Sequence, residues 1–181
     1  MNLHYPIIIN MSKYLAFFQG AFRSQIRYRL ATVMGFLVSA LLLLIQYCLW
    51  GVLIGSGVRQ NITLTEMITY VVITQVADTL TRGNFANEIG TSIRDGSVVM
   101  HFIRPASYQL YLFSTNMGQN CYKLFTQALP VVILSALLVG LSLPPSITHF
   151  LLFLVFSFLG IIIMFELIYI TGLLAFWTQA T

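Results

Sequence analysis

Glu166 interrupts an otherwise apolar run. A carboxylate in such a place lines a polar path, or pairs with a polar group on a neighbouring helix. Close to an interface it is merely solvated, and the sequence leaves these readings open. Asp78 lies four residues before Arg82, the spacing of an ion pair on one helix face, with a substrate or proton role as its alternative. No other catalytic chemistry is assembled. His4, His101 and His149 are far apart in sequence and make no metal site. Cys48 sits in an apolar run and Cys121 beside Lys123, which gives neither a disulfide framework nor a metal motif. There is no Ser/His/Asp or Cys/His arrangement and no pair of carboxylates on one helix face. Neither Lys13 nor Lys123 follows a glycine loop that could cradle phosphate. The chain is therefore read as a non-enzyme without cofactors, and any ATP it depends on must be bound by another chain.

What must position these groups is set by composition. Of 181 residues, 58% are hydrophobic and 8% charged, against about 25% charged in an ordinary soluble domain. The apolar residues fall in long runs, so the solvent for the fold is lipid. A net charge of +4 is of the sign that nucleic acid attracts, but the cations are split among separate segments and form no continuous basic face.

A helix needs about 20 apolar residues to cross the hydrocarbon core. Residues 30–58 hold no Asp, Glu, Lys or Arg and make the first span; 62–80, with Glu66 near one end and Asp78 near the other, make the second. The uncharged stretch 124–165 is too long for one crossing, and Pro144 and Pro145 cut it, because proline donates no hydrogen bond and forces its predecessor out of the helical region. Third and fourth spans are expected at 124–143 and 147–170. With the N-terminus inside, Lys13, Arg23, Arg27, Arg29, Arg82, Arg94, Arg104 and Lys123 are all cytoplasmic and only Arg59 is outside, the asymmetry that fixes orientation. The Asn61-Ile62-Thr63 sequon then faces outward.

Two segments flank or link the spans. In 11–29, Tyr14, Phe17, Phe18, Ala21 and Phe22 share one helical face, with Ser12, Lys13, Gln19, Arg23 and Arg27 opposite. This predicts an interfacial helix, aromatic side in the headgroup boundary and cations on anionic lipid; the alternative is a helix packed on another protein element. Gly51 and Gly55 would admit a close helix neighbour on the first span. The only long polar stretch is 82–123, and contact with a soluble partner belongs there. In it Phe85, Ile89 and Ile93 fall at i, i+4 and i+8, Arg94 stands in the last turn, and Gly96 occupies the position just past a helix C-terminus.

The run Glu88-Ile89, Ile93-Arg94-Asp95-Gly96-Ser97 and Phe102-Ile103-Arg104-Pro105-Ala106-Ser107 resembles the first cytoplasmic loop of the ATP-binding-cassette type-two permeases. The likeness covers about 11–177 and is closest to the bacterial branch with an amphipathic elbow and six spans. It departs from that pattern at Ser97-Val98-Val99-Met100-His101, and the chain stops at Thr181 after four expected spans, which reads as a fragment or a short product, incomplete as a transporter. The resemblance implies a coupling helix that docks on a separate ATPase subunit, with Phe85, Glu88, Ile89, Ile93, Arg94, Asp95, Gly96, Arg104 and Pro105 as the coupling residues and Glu166 and Asp78 as candidates for the translocation path. The expected fold is an all-α polytopic transmembrane bundle, one domain over 1–181, with an N-terminal amphipathic helix and a cytoplasmic coupling helix. The expected function is the permease subunit of an ATP-driven exporter in the plasma (inner) membrane, its partners an ATPase subunit, a second permease subunit and the bilayer. The alternatives are a membrane scaffold or assembly protein, and a small secondary transporter or channel.

Overall fold

The computed structural model describes residues 7–57, 62–83, 85–103, 106–142, 144 and 146–178. Arg59, Asn61, Arg104, Pro105, Thr181 and His4 lie outside them. Among the described residues every regular element is helical: α1 (Ile7–Ile26), α2 (Arg29–Gly55), α3 (Leu64–Thr81), α4 (Phe85–Arg94), α5 (Val98–Ile103), α6 (Tyr108–Lys123), α7 (Leu129–Leu138), α8 (Ile147–Leu173) and α9 (Ala175–Thr178). A π-helical turn, Leu124–Ala128, joins α6 to α7. The fold is therefore all-α.

Among the described residues three helical rods are long and apolar enough to cross a membrane: Arg29–Gly55, Tyr108–Leu138 and Ile147–Leu173. The second of these begins at Tyr108, directly after Ser107, where the sequence allows a helix to begin within the 82–123 segment expected to hold the coupling loop and the start of the third span. Its N-terminal half carries Gln109, Asn116, Gln119 and Asn120, polar enough to read as loop, yet the backbone runs on unbroken through the wide turn. Pro130 explains the turn. Its ring nitrogen cannot donate to the carbonyl one α-turn earlier, and a π turn relieves both the missing bond and the ring clash. The rod ends at Leu138, short of residue 143, where Gly140 takes φ +81°. The helix at the expected second span, α3, has 18 residues and is not among the three. It opens with a reciprocal cap: Thr63 N donates to Glu66 Oε2 (2.9 Å) and Glu66 N donates to Thr63 Oγ1 (3.3 Å), the Thr-x-x-Glu signature of a helix start.

The chain forms two compact units. One holds α2, α3, α7 and the first part of α8. Its core is Leu43, Ile68, Val71, Val72 and Val131, with Phe36 and Trp50 packed against it. No α8 residue joins this core, and the α8 side chains from Ile147 to Phe156 are exposed on every side. Side-chain hydrogen bonds tie its elements: Gln75 Nε2 donates to the Ser39 carbonyl (3.3 Å), Ser142 N donates to Thr69 Oγ1 (2.9 Å), and the Thr32 and Tyr122 hydroxyls bond to each other (3.2 Å).

The other unit holds α1, α4, α5, most of α6, the second part of α8 and α9. Here the aromatic face of α1 is spent on protein. Phe17 meets Tyr111 edge-on at 4.9 Å, and the Ser107 N–H donates to the Tyr14 hydroxyl (3.1 Å). Ala21 is buried. A Cβ at Gly118 of α6 would collide with the Phe18 carbonyl oxygen and stand 3.1 Å from the Ala21 Cβ, so α1 and α6 cross with their backbones nearly touching. The stripe left exposed on α1 is Met11, Leu15 and Ile26. Periodicity identified the apolar side of α1 but not what covers it, and of the two readings it allowed for Tyr14, Phe17 and Ala21, packing on a protein element is the one observed.

Candidate functional site

α4 is a strongly two-sided helix. Phe85 is 4% exposed and Ile89 0%, and both pack with Leu112 of α6 and Phe165 of α8, with Ile93 partly buried against the same cluster. Phe165 is the hub: its ring lies 4.9 Å from that of Phe85 and 4.9 Å, nearly perpendicular, from that of Phe113, and it stacks on Tyr169 at 6.1 Å. Gly172 supplies the clearance, since a Cβ there would stand 2.7 Å from Ile89 Cδ1 and 3.2 Å from Ala86 Cα. The stripe Phe85, Ile89, Ile93 thus holds α4 on the unit that carries it. Ile89 is wholly covered by α6 and α8, and Phe85 is covered by them but for 4% of its surface. This corrects the expectation that the stripe is itself the docking surface.

What α4 offers outward is polar. Asn87, Glu88, Thr91, Arg94, Asp95 and Gly96 are exposed. Gly96 has φ +70° and its N–H donates to the Ile93 carbonyl (3.2 Å), so the helix is terminated by a left-handed glycine as its position demands. Gly96→Val should cost about 1–2 kcal/mol, the steric penalty of a β-branched residue in that region, whereas Gly96→Asn, which tolerates it, should lose much less. Thermal unfolding of the two purified variants measures the difference; equal midpoints would show that the conformation is not required. Among the remaining expected site residues, Arg104 and Pro105 lie outside the described residues.

Sequence reading missed the polar groups that face α4 from α6. Asn120 Nδ2 donates to the Arg82 carbonyl (2.8 Å), fastening the chain just ahead of α4. Asn116 is 6% exposed. The signal was present as amides at i and i+4 in the helix expected to begin near Ser107. Glu166 is partly buried, and its Oε1 accepts from Gln109 Nε2 at 2.7 Å. That is the helix-to-helix pairing that was one of its readings. Asp78 is exposed on α3, in the other unit. Among the described residues there is no group of three or more His, Cys, Asp or Glu side chains able to hold a metal.

The model of the ABC-2 family transporter proteins matches residues 60–181. The chain belongs to that family. No curated protein and no solved structure matches it. The match takes in α3 to α9 and hence the whole of α4 with its packing partners. This ABC-2 family protein is an integral membrane component of a transporter, and family membership implies partnership with an ATP-binding-cassette ATPase subunit.

Proposed function

We propose that the chain is the membrane-spanning permease subunit of an ATP-driven exporter, and that α4 is the coupling helix through which a separate ATPase subunit drives it. The observation that supports this reading is the division of α4 into a buried apolar face and an exposed polar face. A helix so seated transmits a push on its outer face to α6 and α8 through the Phe85, Leu112 and Phe165 cluster, because close-packed side chains pass displacement on rather than absorb it. Two such subunits enclose the path, and the 82–123 segment faces the cytoplasm of a bacterial inner membrane, as the Lys and Arg asymmetry favours.

The test has two parts. The ATPase should co-purify in stoichiometric amount, and Arg94→Glu, which reverses a charge on the outer face without touching the core, should weaken that association by about tenfold, the equivalent of ~1.4 kcal/mol. Unchanged association and unchanged coupled ATP hydrolysis in nanodiscs would refute α4 as the transmission element. A cysteine placed at Thr91 in a chain lacking Cys48 and Cys121 should resist an impermeant reagent in intact cells. Labelling there would overturn the orientation.

A further inference from the structure

Beside α4 lies a cavity of about 200 Å³ lined by Phe85 and Glu88 of α4 and by Leu112, Thr115, Asn116 and Gln119 of α6. Its polar groups are unspent. Asn116 is 6% exposed, yet its amide makes no hydrogen bond to any described residue, and the same holds for the Thr115 hydroxyl, the Gln119 amide and the Glu88 carboxylate, which has no ion pair among the described residues either. Elsewhere the contrast is plain: Thr69, Thr74, Thr79, Thr91, Thr126 and Thr171 each donate to a carbonyl three or four residues earlier. Asn116 is thus more than nine-tenths buried as a residue, and its amide, without a hydrogen bond of its own, opens on a cavity with a carboxylate at its rim.

The geometry points to a recognition site for one guanidinium group. The carboxylate calls for a cation. A metal ion is a poor occupant, because calcium takes six to eight oxygens and one carboxylate, two amides and a hydroxyl fall short in a space this wide. An ammonium is compact and strongly hydrated, whereas a guanidinium carries five N–H donors in a plane and tolerates apolar walls. Glu88 takes two of those donors, the Asn116 and Gln119 amides and Thr115 take others, and Phe85 and Leu112 form the apolar wall. The source of the cation is an arginine side chain of the ATPase partner. That assignment of source rests on the coupling reading of α4, while the pocket's preference for guanidinium does not.

The experiment uses the full chain in nanodiscs and saturation-transfer NMR, with methylguanidinium as probe and tetramethylammonium, of equal charge but without N–H donors, as control. Methylguanidinium should receive transfer and tetramethylammonium should not. Glu88→Gln, at the exposed rim and neutral for folding, should weaken the probe about tenfold, as loss of a charged hydrogen-bond partner does. Asn116→Ala should act in the same direction. Equal transfer to both cations, or an undiminished signal in Glu88→Gln, overturns the site. In the second arm, Glu88→Gln or excess methylguanidinium should release a bound ATPase. If the ATPase stays bound while methylguanidinium still fills the pocket, the arginine source is overturned and the site takes a free guanidinium compound. If the wild-type chain binds no ATPase, the coupling reading fails, and the first arm still decides the pocket.

Discussion

Phe85→Ala should be among the most damaging single substitutions in this protein, with a loss of about 3–5 kcal/mol of stability, the range for deleting a buried aromatic side chain. The ring is 4% exposed and sits 4.9 Å from Phe165, itself buried and shared with Phe113 and Tyr169. Removal opens a void that Ile89 cannot fill, because Ile89 is already wedged over Gly172. Thermal unfolding in detergent should show a large fall in midpoint for Phe85→Ala. A smaller fall is expected for Ile93→Ala, which is only partly buried. ATPase coupling should fall in both variants through loosening of α4, not through lost contact area with a partner. If Phe85→Ala melts like the wild type, α4 is not held by this cluster and the transmission argument falls with it.

Gly118→Val is the second large effect. A Cβ alone would strike the Phe18 carbonyl oxygen, and a backbone atom inside a helix cannot swing aside as a flexible side chain can. Overpacking costs typically about 1–3 kcal/mol, and contact with backbone places this substitution at the upper end or drives α1 off α6 altogether. The separation is readable: the Phe17–Tyr111 and Tyr14–Ser107 contacts would go together, so protease sensitivity between α1 and α2 should rise along with the fall in thermal midpoint. Gly20→Val on α1, with open space around its Cβ, is the matched control and should change packing little. Equal behaviour of the two variants would rule out the close crossing.

Particular residues show where the sequence was informative and where it fell silent. The charge-free run in α2 and the paired prolines before α8 are local features, and the helices lie close to where they place them. Gly96 was legible for the same reason, since a glycine after an amphipathic turn has few other uses. The neighbour of an apolar face was not legible. The spacing of Phe85, Ile89 and Ile93 is identical whether the stripe meets Phe165 or another protein, and the spacing of Tyr14, Phe17 and Ala21 is identical whether it meets lipid or Tyr111. Periodicity specifies a direction, and only the tertiary arrangement supplies the object. The start of the Tyr108–Leu138 rod was legible at Ser107, but its apolar length was not, since the amides of Asn116 and Asn120 lower the signal that marks a span. The π-helical turn was not legible: the third span was read straight through Pro130, whose missing donor a wide turn accommodates without ending the helix.

The first part of α8 has a different kind of consequence. Its side chains are exposed on every side and contribute to no core in their unit, so nothing in the chain distinguishes one bulky apolar residue from another there. Leu151, Phe153 and Val155 are interchangeable as far as these contacts go, whereas Phe165 and Gly172, further along the same helix, are each fixed by a shape they must match. A saturation library across Ile147–Leu173 should therefore read as two alphabets on one rod: an opening stretch written in oiliness alone, where only charge is a misspelling, and a closing stretch in which individual letters matter.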